Sequence, residues 1–464
     1  MSNRTTLKFI LLALVLCASA RATAFAQAPD DARVLREGGA AVARNDDART
    51  ESAATREGRL KVFDEVWEQV RVRYFDPALR GVDWQEVRRS LRPRAADAGT
   101  EDELYAVLRR MLSTLRDPHT RVFEPGESDD WRVQHYISVG LSVREIEGEV
   151  VVTDVERRSE AARAGVRAGD AIVSVDGEPT SKLVARRLVE QNAGDSRPAR
   201  LVAVTRLFDG PLDSTASIVF RRAGESKERS VRLRRETRTR VPTFEVRREG
   251  GGVRIVRFNI FTPAVAEAFA RALGGELKGA RSLVIDLRDN GGGEAEAMAD
   301  LASTLLEPGA SLGRFTDREG RVQLEPFTRA SLVSSADTFK RFRGAVVLLT
   351  NARTASAAEV FAASLHETGR ATVVGEATCG CVLGIRERHM LPDGGVLDIS
   401  EMDYHTASGA RLEGVGLRPD VDVVPAREDL SRGRDRALER AVEMLKLKER
   451  SASGPSAVSV VAGR

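Results

Sequence analysis

Ser356 stands at the start of "TASAAEVFAASLHETGR" (354–370), just after the uninterrupted apolar run "GAVVLLT". A serine where a strand turns into a helix has two ordinary uses. It caps free N–H groups, or it sits in the positive field of the helix N-terminus, where the following amide can donate to an oxyanion. The local residues support both. A second segment, "IDLRDNGGG" (285–293), ends another apolar strand in glycines that let backbone amides approach a ligand closely. In an open α/β sheet both segments project from the carboxyl edges of their strands, where sites form.

A nucleophilic serine needs a base, and the chain has five histidines. His119 follows Pro118 in "LRDPHTRVF", at the exit of a helical pattern. Taken alone, it reads as a histidine interacting with the last helix carbonyls. His405 lies eight residues before Glu413 and is the rival base. His366 is on the serine's own helix, roughly 15 Å along it at 1.5 Å per residue, too far to serve. His389 falls on a strand and reads as structural. Glu359, one turn after Ser356, reads as stabilising the helix start. Asp286 and Arg288 form a charged pair at a strand end, which usually fixes a loop. Cys379 and Cys381 form a C-x-C pair, either a local disulfide or two small buried side chains. Neither has an activating neighbour, and no Cys/His cluster stands beside them, so no metal site or cofactor is expected.

These residues must be positioned by more than one domain, because 464 residues exceed one ordinary fold. The first 26 residues carry Arg4 and Lys8, an apolar run and Ala24-Phe25-Ala26, the pattern of a cleaved secretory leader. Residues 27–55 read as a flexible lead-in. Over 56–133 the stripes Phe63, Val66, Trp67 and Leu104, Val107, Leu108, Met111 predict helices, with Thr100 and Glu103 as a capping box. Residues 134–238 are β-rich with one short helix. Residues 239–448 alternate strands and helices in the manner of βαβ units, which predicts a mostly parallel sheet. The tail, 449–464, reads as disordered.

Two of these modules carry family signatures. "SVGL" (138–141) with "SEAARAGVRAGDAIVSVDG" (159–177) resembles a PDZ domain, which implies that Val139, Gly140 and Leu141 form a peptide-carboxylate loop. "DLRDNGGG", "TASAAEVFAASLHETGRATVVGEAT" and "EGVGLRPD", behind a PDZ module, resemble the C-terminal processing (tail-specific) peptidases and the related tricorn core protease. The resemblance runs from about Leu60 to Leu447. It implies a ClpP/crotonase-like α/β protease core with Ser356 as nucleophile, and the amides of Gly292 and Ala357 as the oxyanion hole. Tail-specific peptidases pair the serine with a lysine, but Cys381 occupies that place, and no lysine occurs between Lys340 and Lys446. The tricorn-like branch uses a histidine from the helical segment before the PDZ module and a glutamate in the charge network. Here these are His119 and Glu413, with Pro118 where that branch has a serine.

The expectation is therefore a periplasmic or secreted serine endopeptidase acting on peptides or unfolded proteins, with the PDZ module taking their C-termini. The rival is a peptide- or lipid-binding scaffold of the same fold that has lost its chemistry, motivated by the missing lysine. With 72 basic against 69 acidic residues, and no basic stripe interleaved with aromatics, a nucleic acid partner is not expected. The leader is too short to span a bilayer stably. Oligomeric state is not legible.

Overall fold

The computed structural model describes residues 33–34, 53–127, 134–190, 197–331 and 340–452. The leader, most of the lead-in and the tail from 453 lie outside them. Within the lead-in, Arg33–Val34 is a short strand, paired antiparallel with Thr243–Arg248 at the edge of the core sheet.

Three helices open the chain, each started by a polar cap. Thr55, Asp83 and Thr100 accept from Gly58, Glu86 and Glu103 N–H, starting Arg56–Arg73, Trp84–Asp97 and Glu101–Ser113. The Glu103 carboxylate reaches back to Gly99 N–H at 2.6 Å, one residue before the cap. Phe63, Val66, Trp67, Leu104, Leu108 and Met111 are buried as the stripes predicted. They share one core with Leu383, Leu391, Leu397 and Ile399 of the protease domain. The helical region is thus not closed on itself. After Ser113 the chain enters the core, where Arg121–Phe123 pairs antiparallel with Val396–Asp398 at the start of the long strand Val396–His405.

The β-rich module forms one antiparallel sheet. Its strands run in the order Leu141–Ile146, Glu149–Val155, Ala171–Val175, Thr215–Arg221, Glu228–Arg234. Leu141–Ile146 is an edge strand, and the helix Arg197–Thr205 packs against it.

The protease core is built on a mixed sheet. Four parallel junctions join Val253–Phe258, Ser282–Asp286, Ala345–Thr350, Ala371–Gly375 and Val421–Asp422 in that order. Such strands are covered on both faces, which is why "SLVID" and "AVVLLT" carry no polar alternation. One face packs on Pro263–Gly274, Ala295–Ser303 and Ala357–Glu367; the other packs on the C-terminal helix, Arg436–Ala452. The ends of Ser282–Asp286 and Ala345–Thr350 lie side by side, in register Asp286 to Leu349. The glycine loop and the serine turn therefore leave the sheet together.

Candidate active site

Ser356 is half-buried, with φ +55° and ψ −127°. An N-cap serine normally sits in the extended region. A β-carbon in the left-handed region is strained and persists only when its surroundings hold it. Four neighbours do so here. Ser356 N–H donates to the Cys381 carbonyl at 2.8 Å and to Glu359 at 3.1 Å, while Ala355 N–H donates to the Asn290 carbonyl at 3.0 Å. Gly292, at φ +99°, leaves no room for a side chain: a Cβ there would lie 2.6 Å from Ser356 Cβ and 2.9 Å from Ala357 N. Ser356 and Glu359 form a capping box, in which the Ser356 side chain faces the Glu359 amide and the Glu359 carboxylate accepts Ser356 N–H. The serine thus starts the helix from a strained backbone that also sets its Cβ against the glycine loop.

The glycine loop and the turn after Ser356 supply the amides. No hydrogen bond from Ala357 N–H appears among the described residues. Gly292 N–H, expected beside it, donates to Asn290 Oδ1 at 2.9 Å, and Asn290 Nδ2 is anchored on the Phe258 carbonyl at 3.0 Å. Of the two expected oxyanion donors, one is open and one is engaged in this conformation.

Glu359 is a component whose importance the residues alone did not convey. Its fully buried carboxylate accepts four bonds, from Ser356 N–H, Gly380 N–H, Cys381 N–H and Thr378 Oγ1. Burial pushes it up to about 7, against the lowering effect of those donors. It clamps the serine turn to the 378–381 loop. Cys379 and Cys381 are joined as a disulfide within that loop, resolving the C-x-C alternative.

His119 is half-buried, with Nδ1 buried and without a hydrogen-bond partner. The nearest carboxylate is Asp117, whose Oδ1 lies 3.7 Å from Nδ1. Glu413, expected in this charge network, does not touch the imidazole. Its oxygens accept from Arg80 Nη2 at 2.5 Å and from Val382 N–H at 2.9 Å. Arg80 also donates to the Arg116 carbonyl at 3.2 Å, one residue before Asp117. A chain of bonds thus runs from the histidine segment through Arg80 and Glu413 to Val382, adjoining the Cys381 carbonyl that holds Ser356. Among the described residues no hydrogen bond joins Ser356 Oγ to a histidine. Of the nine non-glycine residues with positive φ among the described residues, Leu79, Arg80, Arg116, Asp289 and Ser356 all lie on these segments.

The other histidines are elsewhere. His405 ends the long strand. The turn that follows it is tied by Ser408 Oγ to Glu367, at 2.7 Å, on the last residue of the helix that Ser356 begins. Eleven residues at 1.5 Å each put that end about 16 Å from the serine. His366 pairs with Asp420 at 2.9 Å. His389 lies beside Glu401 and Glu387, a grouping with metal-ligand residue types. Arg73 and Arg386 stand 3.3–3.8 Å from both carboxylates and balance their charge. Asp286 and Arg288 form the expected pair, extended to Asp435 immediately before the C-terminal helix.

In the PDZ module Val139 and Leu141 are buried. Gly140, at φ +77°, leaves no space for a Cβ beside Ser159, and its N–H donates to Ser138 Oγ at 2.9 Å. The groove between the edge strand and Arg197–Thr205 receives a residue of the core. Arg353, three positions before Ser356, donates to the Val143 carbonyl at 2.9 Å and to Thr205 Oγ1 at 3.1 Å.

Residues 250–423 match peptidase family S41, residues 55–113 the tricorn protease C1 domain, and residues 151–202 a PDZ domain. The C-terminal processing peptidase of the chloroplast of Tetradesmus obliquus is 29% identical over 387 residues, covering 78% of this chain and 77% of that one. The carboxyl-terminal-processing protease of Picosynechococcus sp. is 28% identical over 375 residues, covering 78% and 82%. A solved photosystem II D1 C-terminal processing protease is 26% identical at a TM-score of 0.53, covering 84% of this chain and 97% of its own. Mature CPAF, at 15% identity and a TM-score of 0.64, shares the fold.

Proposed function

Because the chain belongs to the C-terminal processing peptidases and is a serine-type peptidase, we propose that Ser356 is its nucleophile, that His119 is its general base, and that its substrates are peptides and unfolded proteins in the periplasm or outside the cell. The observation that carries this reading is the strained Ser356 backbone, held at a helix start between the glycine loop and the open Ala357 amide.

In this mechanism the Ser356 oxygen attacks a peptide carbonyl as its proton passes to His119 Nε2. The carbonyl oxygen becomes an oxyanion facing Ala357 N–H, and Gly292 N–H joins it once Asn290 Oδ1 releases that amide. The proton goes to the leaving nitrogen as the C–N bond breaks, and water then hydrolyses the ester by the same route in reverse. Glu413 takes no proton. It stabilises Arg80, and through Val382 it fixes the 379–382 loop that a lysine-using relative would occupy with its base. The PDZ groove takes substrate C-termini by strand addition on Leu141–Ile146. The signal-like leader supports export. Among the described residues no helix is long and apolar enough to cross a membrane.

The test is hydrolysis of an unfolded protein by the mature chain, with Ser356→Ala and His119→Ala compared while both remain folded. Loss of the base lowers the rate by roughly two to four orders of magnitude. Full activity in Ser356→Ala would retire the site, and a wild type that cleaves nothing would bring back the binding-protein rival.

A further inference from the structure

An imidazole that accepts a proton on Nε2 must carry its other proton on Nδ1, and a buried Nδ1–H needs an acceptor. His119 Nδ1 is buried and has none within bonding distance. Two carboxylates lie in this region. Both oxygens of Glu413 are already engaged, one by the Arg80 guanidinium and the other by a backbone amide. Asp117 is different. Its side chain is completely buried, and Oδ1 accepts His119 N–H at 2.9 Å, so it faces the histidine from below.

We propose that Asp117 is the positioning carboxylate of His119, holding the imidazole as its Nδ1–H tautomer and facing the imidazolium that forms during attack. The proposal rests on His119 serving Ser356 as its base. Nδ1 and Oδ1 lie 3.7 Å apart, no other carboxylate among the described residues is paired with the ring, and the Asp117 carboxylate is held from behind. Thr120 Oγ1 donates to Asp117 Oδ2 at 2.5 Å, and Thr120 itself accepts Ser400 N–H at 3.1 Å. The Ser400 carbonyl takes Phe75 N–H at 2.8 Å, tying in the loop that carries Arg80. Arg116, in the left-handed region at φ +53°, turns the chain so that Asp117 points inward. The protonation state suits the role: burial alone would raise this carboxyl, yet the neighbouring His119 imidazole, Ser400 and Thr120 hold it at about 2, so it is anionic at neutral pH. No proton moves to Asp117 in the reaction. It remains a carboxylate while the proton shuttles between Ser356 Oγ, His119 Nε2 and the leaving amine.

The test uses Asp117→Asn in the mature chain. It is expected to lower kcat on a peptide substrate by about 10²–10⁴-fold, through the wrong tautomer, with KM within about threefold. A purely structural lesion would instead reduce the amount of folded enzyme at constant kcat per active site, counted by fluorophosphonate titration. The second readout needs no variant at Asp117. Folded Ser356→Ala protein should show the far-downfield proton resonance of an imidazole N–H bonded to a carboxylate, and His119→Ala in that background should remove it. A folded Asp117→Asn enzyme with wild-type kcat overturns the proposal, as does absence of the resonance. If Ser356→Ala itself hydrolyses substrate, the underlying site reading has failed. An inactive Ser356→Ala beside a fully active Asp117→Asn sinks only the role of Asp117.

Discussion

Glu359→Gln separates the electrostatics of the serine turn from its shape. The Glu359 carboxyl is held at about 7 against an ordinary 4.5, chiefly by burial. For a group whose pKa is raised by folding, the stabilising contribution is present below the unfolded value and lost as pH rises through the folded one. A shift of this size corresponds to about 3 kcal/mol in all, at 1.36 kcal/mol per pH unit, and most of it falls between pH 5 and pH 8. Glutamine has nearly the same shape and does not titrate, but its amide NH₂ meets N–H donors that now face a carboxylate. Its penalty is therefore independent of pH. The assay is hydrogen exchange read by mass spectrometry on peptides covering residues 352–383, in a Ser356→Ala background that cannot digest itself. Protection in the Glu359 protein should fall by about 2–3 kcal/mol from pH 5 to pH 8 once intrinsic exchange is corrected. In Glu359→Gln it should stay level to about 0.5 kcal/mol. Equal pH dependence in the two proteins would show that Glu359 does not carry the burial cost, and the argument for a clamp under tension would fall with it.

Gly292→Ala places a methyl 2.6 Å from Ser356 Cβ at φ +99°. Activity should be lost, with destabilisation of about 1–3 kcal/mol measurable by thermal unfolding, and an active, equally stable variant would refute the proposed contact. Arg353→Ala frees the Val143 carbonyl on the PDZ edge strand. A peptide with a free C-terminus should then bind about threefold to tenfold tighter by fluorescence anisotropy, the equivalent of roughly 1 kcal/mol for one hydrogen bond no longer displaced. Unchanged or weaker binding would mean that the peptide does not add at this edge. Under non-reducing conditions the mature chain should take up no iodoacetamide at Cys379 or Cys381 until a dithiol is added, and alkylation without reductant would contradict the bonded pair.

The organisation of the chain was legible because it rests on local patterns. Apolar periodicity gave two of the three opening helices, Arg56–Arg73 and Glu101–Ser113, their buried faces, and uninterrupted runs such as "AVVLLT" marked strands covered on both sides. Ser356, Gly292 and Ala357 were legible as a group because all three follow strand ends, which parallel pairing in register brings to one edge of the sheet. Partner choice among the charged residues was not legible. The resemblance puts Glu413 in the charge network around the histidine, and in the structure it lies against Arg80, 333 positions away, on a loop in left-handed backbone that no periodicity announces. Asp117 sits only two residues from His119. Its neighbour Pro118 drew attention to where the helix stops, and its complete burial became visible only when Arg121–Phe123 paired with the strand that starts at Val396. Glu359 read as a helix-start residue, since a carboxylate one turn in is commonly solvated, and only the fold of the 378–381 loop over it turned it into a buried acceptor of four bonds. Residue types and strand ends alone determined which groups could react. Long-range pairing decided which carboxylate each cation or imidazole meets, because desolvation and hydrogen-bond distance depend on contacts that sequence separation does not encode.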